Sequence, residues 1–112
     1  MTTMVQKDIN TACVQICELF HESVRNCPPD GVRRLRSCTA KVYRWQSGNC
    51  ATYALKSYDT FVALVITDGE RTACYDFLRY VYGYTATSAQ HIAKFFNDYA
   101  DKTAERFRYY EM

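Results

Sequence analysis

Glycine and proline are scarce in this chain of 112 residues, at four and two. The glycines are isolated turn residues, so no glycine-rich loop exists to cradle a phosphate, and the nucleotide hydrolysis and dinucleotide chemistry built on such loops are excluded. No apolar run approaches the about 20 residues that a membrane-spanning helix needs. The start, Met1-Thr2-Thr3-Met4-Val5-Gln6-Lys7-Asp8, lacks the positive stretch and apolar block of a secretory signal, so a cytoplasmic protein is the expectation. There is no Cys-x-x-Cys turn of the zinc-finger kind. Repeats, low-complexity tracts and interdomain linkers are also missing, and one domain over 1–112 follows. Finally, no acidic residue lies between Asp30 and Asp59.

What is present suits a compact core. Apolar residues make up 48% of the chain, which rules out a polar disordered tail. Six cysteines invite a disulfide framework, but without a secretory signal they are expected to stay reduced and to act as small hydrophobes. Cys13, Cys17, Cys38 and Cys74 fall among apolar neighbours, as core thiols do.

The hydrophobic pattern predicts an α+β domain. Ile9, Cys13, Ile16, Cys17, Phe20 and Val24 recur at helical spacing, so a helix is expected over about 8–24, ended by Cys27-Pro28-Pro29. Residues 32–37 read as a short turn or the approach to a strand. Strands are expected at 39–46 and 50–57 around a Ser47-Gly48-Asn49 turn, and at 61–67, which is apolar on both faces. Asp68-Gly69 marks another hairpin, with an aromatic strand over 72–84 of which 73–82 pairs. Thr87 and Gln90 fit a capping box that opens a last helix, with Ala89, Ile92, Ala93, Phe96 and Tyr99 toward the sheet. Beyond Asp101 the stripe weakens, leaving Phe107, Tyr109 and Tyr110 as docking points or a frayed tail. The expected architecture is an N-terminal helix and proline turn (1–30), a four-stranded antiparallel sheet (31–84) and a C-terminal helix with its tail (85–112), in two layers.

Few groupings suggest chemistry. Cys13, Cys17 and His21 share one helical face and resemble a partial metal site, although the cysteines also lie on the core stripe. His91 with Ser57, Ser88 and Asp59 has the residue types of a nucleophilic site but none of its signatures. No enzyme activity, cofactor or resident metal is expected. Net charge is only +2, yet Arg33, Arg34, Arg36, Lys41, Arg44 and Lys56 all fall in the acid-free segment, interleaved with Tyr43, Trp45, Tyr53 and Tyr58. Such a surface binds RNA or single strands, docks an acidic protein, or is an ordinary hairpin whose rings pack a core. Tyr80, Tyr82 and Tyr84 on one strand face form a second recognition surface if the helix leaves them uncovered. Pairing of two copies through a strand edge or that tyrosine row stays open.

The run Ser57-Tyr58-Asp59-Thr60-Phe61-Val62-Ala63, followed by Tyr84-Thr85-Ala86-Thr87-Ser88-Ala89-Gln90-His91-Ile92-Ala93-Lys94-Phe95, resembles a family of small proteins encoded by phages and mobile elements of Gram-positive bacteria, many from the gut. The resemblance covers about the C-terminal half and carries over no catalytic residue. It implies a genomic context in which small proteins act by binding host proteins, anti-CRISPR inhibitors being the best-known class. The expectation is therefore an inhibitor of a host defence nuclease, a Cas effector, touching either the protein or its guide RNA. Contacts are expected from Arg33, Arg34, Arg36, Lys41, Arg44 and Trp45, and then from Tyr80 and Tyr82. A small regulatory protein acting directly on RNA or DNA is the alternative.

Overall fold

A computed structural model of the protein describes residues 5–36 and 39–110. The expectation that Cys38 is a core thiol lies outside the described residues. In chain order the elements are α1 (Gln6–Val24), β1 (Gly31–Arg34), β2 (Lys41–Ser47), β3 (Cys50–Ser57), β4 (Thr60–Thr67), β5 (Thr72–Asp76), α2 (Leu78–Val81), α3 (Ala86–Tyr99) and β6 (Glu105–Arg108). The strands form one six-stranded sheet in sequential order. Pairing is antiparallel from β1 to β5, and β6 runs parallel to β5. The fold is thus α+β with a mixed sheet, and the expected four-stranded antiparallel sheet gains a strand at each edge.

The expected two layers become three, because β4 is apolar on both sides. Leu64 packs with Ala54 and Phe77 against Cys13, Cys17 and Phe20 of α1. Val65 and Ala63 join Val42, Leu55 and Cys74 against Ile92, Phe95 and Phe96 of α3. Successive strand residues face opposite ways, so a strand with no polar face needs cover on both. A bulge adjusts this alternation. Leu55 faces Ala63 and Lys56 faces Phe61, leaving Val62 without a partner on β3. Phe61 therefore joins the α1 cluster while Val62 and Ala63 both join the α3 cluster. The Val62 carbonyl accepts a hydrogen bond from the Phe77 amide at 3.0 Å, fixing the point where β5 leaves the sheet.

The tight turns match their chemistry. Gly48 has φ +59° in the hairpin closed by the Ser47–Cys50 pair. The Asp68 carboxylate accepts from the amides of Glu70 and Arg71 at 3.0 and 2.8 Å, closing the β4–β5 loop.

The aromatic strand expected over 72–84 ends at Asp76. Its Oδ1 accepts from the Leu78 amide at 3.2 Å and starts α2, which ends at Val81, two residues before Gly83 with φ +99°. The α3 cap also lies earlier than expected: Thr85, not Thr87, accepts from the Ser88 amide at 3.2 Å. Two of the expected docking points in the tail are engaged. Phe107 of β6 stacks on Tyr75 with ring centroids 5.1 Å apart, and Tyr109 packs against Tyr80.

Candidate functional site

The cations of the acid-free segment gather around the β1 edge without forming one flat face. Antiparallel partners share a face of the sheet, and β1 pairs Arg33 with Val42 and Arg34 with Lys41. Arg33 and Arg44 accordingly lie on the α3 side with Tyr53 and Tyr99, lining a groove of about 270 Å³. Arg34 and Lys41 lie on the opposite side, in line with Tyr43. The expected single patch is split by the pleat, and what remains continuous is the edge itself, where Val32, Arg33, Arg34 and Lys41 are exposed. Among the described residues no carboxylate sits within ion-pair distance of Arg33, Arg34, Lys41, Arg44 or Lys56. Arg44 is braced by a 2.7 Å hydrogen bond to Gln46 Oε1, and the Lys56 ammonium lies over the rings of Tyr43 and Phe61 at 5.6 and 5.3 Å.

Two expected contact residues are committed elsewhere. Arg36 donates to both oxygens of Asp98 on α3, at 2.9 and 2.6 Å. That pairing holds the Asp98 carboxyl below its ordinary pKa. Trp45 donates its indole N–H to the Cys27 carbonyl at 2.9 Å and packs with Phe20, Tyr43 and Phe61. It is a part of the α1 core and not a stacking platform.

The tyrosine row does not exist, because α2 turns its members apart. Tyr80 reaches back to α1, where its hydroxyl donates to Glu18 Oε1 at 3.3 Å. Tyr82 stacks on Tyr58 of the β3–β4 turn, with centroids 6.0 Å apart. Tyr84 lies against Arg79, whose guanidinium carbon is 4.6 Å from the ring centroid.

The nucleophile-type residues do meet. Ser57 Oγ lies 2.9 Å from Ser88 Oγ and 3.1 Å from His91 Nδ1. Their exposures are 0%, 1% and 6%, so no substrate carbonyl reaches the serine oxygen. Asp59 is exposed on the neighbouring turn. Burial first, then Lys94, holds the His91 pKa below its ordinary value, and the neutral ring ties α3 to the end of β3. On α1, His21 Nδ1 bonds the Cys17 carbonyl at 2.8 Å. Burial above all pushes the Cys13 thiol up to about 12 and the Cys17 thiol up to about 11, which disfavours the thiolates a metal needs. Among the described residues no three metal-ligating side chains converge.

A second cationic group escaped the sequence reading: Arg79, Arg106 and Arg108, around Asp76. A signal was available, since Arg106-Phe107-Arg108 places two arginines on one face of any strand. Recognising it required seeing that the tail is a strand.

No family model, curated protein or solved structure matches this chain. No helix of the described residues is long and apolar enough to cross a membrane.

Proposed function

We propose that this is a non-catalytic, phage-type anti-defence protein that binds along its β1 edge. In this reading Arg33, Arg34 and Lys41, backed by Arg44, engage an acidic groove of a host defence nuclease, a Cas effector, and block its nucleic-acid-binding surface. The protein works in the cytoplasm of the bacterial host. The observation that supports this most is the β1 edge: Arg33 and Arg34 point to opposite sides of a strand that, among the described residues, has no outer strand neighbour and no carboxylate to neutralise them. An edge of that kind accepts an extended or grooved acidic surface through backbone bonds and charge together. It also discourages pairing with a second copy, since antiparallel β1 strands would place arginines against arginines.

Direct binding of a single strand of RNA or DNA is the weaker reading for this edge. Base stacking needs exposed rings among the cations, and Tyr43 and Trp45 are turned into the α1 core. The seclusion of Ser57 beside His91 supports the absence of catalysis.

The test is inhibition of target cleavage by a Cas effector, comparing the native protein with the triple variant Arg33→Glu, Arg34→Glu, Lys41→Glu. Arg36 is left in place because it anchors α3. Inhibition by the native protein that disappears in the folded variant supports the reading. Equal inhibition by both, or none by either, counts against it. A gel shift with the protein alone should show little affinity for oligonucleotides without a 5′-phosphate at physiological salt.

A further inference from the structure

We infer that the cavity between β5, α2, α3 and β6 is a binding site for a phosphomonoester, carried by a nucleotide-sized ligand. The cavity measures about 450 Å³, within the range of about 300–1,000 Å³ typical of small-molecule sites. It is remote in the sheet from the β1 edge, lying at the opposite end of the strand order.

Among the described residues three arginines line it from two elements, Arg79 from α2 and Arg106 and Arg108 from β6, against a single carboxylate, Asp76. That carboxylate is already engaged. One oxygen accepts from the Leu78 amide at 3.2 Å and the other lies 3.3 Å from Arg108 Nε. Among the described residues neither Arg79 nor Arg106 has a carboxylate at ion-pair distance. The lining thus carries an excess of two positive charges, which matches a phosphate dianion. A guanidinium also fits phosphate oxygens in pairs, as an ammonium does not.

Stacking helps to hold all three arginines, while Arg106 also donates to the Asp101 carbonyl at 3.4 Å and Arg108 donates to the Tyr110 hydroxyl at 3.1 Å beside its pairing with Asp76. Arg79 lies 4.6 Å from the Tyr84 ring centroid and 5.4 Å from that of Tyr110. Arg106 lies over Phe96 at 5.6 Å, and Arg108 over Tyr110 at 5.8 Å. Stacking uses guanidinium faces and leaves to an acceptor the N–H groups that those bonds do not use, and fixed side chains lose less entropy when a ligand arrives. Tyr84 and Tyr110 are 57% and 39% exposed at the mouth, where a nucleobase or similar ring can lie flat. Arg79 and Arg106 line one concavity with exposed rings and have no carboxylate partner among the described residues, an arrangement that suits an anion.

The phosphate has two sources, a free mononucleotide or the end of a single strand, and titration calorimetry separates them. The probes are inorganic phosphate, adenosine monophosphate, adenosine, and one tetranucleotide with and without a 5′-phosphate. Adenosine monophosphate should bind more tightly than inorganic phosphate, and adenosine not at all. Arg79→Ala and Arg106→Ala, neither in the buried core, should each weaken binding about tenfold or more with an unchanged circular dichroism spectrum. Tyr84→Ala should remove the preference for the nucleotide over inorganic phosphate. Tighter binding of the phosphorylated tetranucleotide than of the mononucleotide assigns the strand end, and the reverse order assigns the free nucleotide. The inference is overturned if millimolar phosphate and nucleotide both give no heat, if the arginine variants bind as the native protein does, or if the tetranucleotide binds equally with and without its phosphate.

Discussion

At the scale of single residues, partners distant in sequence decide what a side chain does. Arg33, Arg34 and Lys41 were legible as a cationic group because the stretch from Asp30 to Asp59 holds no acid. Arg36 belongs to the same stretch, yet it pairs with Asp98, 62 positions away, and no local pattern reveals that. Its φ of +52° adds a backbone constraint. Arg36→Ala should cost about 0.5–1 kcal/mol from the half-exposed ion pair. Arg36→Gly, which suits the left-handed backbone, should be more stable than Arg36→Ala by about 1 kcal/mol in denaturant unfolding.

His91 gives a pH signature. Its folded-state pKa is lowered, so the unfolded chain takes up a proton near the ordinary value of about 6.5 before the folded one does. Stability is unaffected above that pH and declines as the pH falls below it. Melting curves between about pH 7.5 and 5.5 should show this decline in the native protein and a shallower one in His91→Gln. Parallel declines would place the proton uptake elsewhere.

Among the elements, those carrying a strong period were readable and those built from aromatic alternation were not. The stripe of Ile9, Cys13, Ile16, Cys17, Phe20 and Val24 defines α1, and the apolar run from Phe61 to Ile66 defines the central strand. Tyr80, Tyr82 and Tyr84 imitate a strand by period and by residue type. The Asp76 carboxylate bonding the Leu78 amide, and Gly83 beyond it, override that preference with a turn of helix. The β6 strand was hidden for a different reason: it is four residues long, its strand partner is a parallel neighbour some thirty positions back, and its Arg108 carbonyl accepts from Gln6 of α1 at 2.8 Å.

Two substitutions check these assignments. Thr85→Ala should destabilise the protein by about 1 kcal/mol, whereas Thr87→Ala, outside the cap, should stay within about 0.5 kcal/mol. The reverse order would restore the capping box at Thr87 and Gln90. Phe107→Ala should cost about 2 kcal/mol by removing the stack on Tyr75 that seals β6 onto the sheet, read as a shifted urea midpoint. A shift near zero would mean that the tail contributes nothing to the folded core.

For the whole molecule, two helices cover opposite faces of the sheet and leave its two edges to the surroundings. The β1 edge carries Arg33 and Arg34, with Lys41 beside Arg34 on β2, and the β6 edge carries Arg106 and Arg108. A chain with a net charge of only +2 thus still presents concentrated positive charge at the two margins of its sheet. The three-layer arrangement was implicit in a central strand with no polar side, and it carries the sheet-splitting of the basic segment with it. The most direct measurement is the affinity of a purified Cas effector for the native protein and for the Arg33→Glu, Arg34→Glu, Lys41→Glu variant at matched ionic strength. Binding that is lost on reversing the three edge charges, while the melting temperature holds, is the predicted result. Undiminished binding by the reversed edge would contradict it.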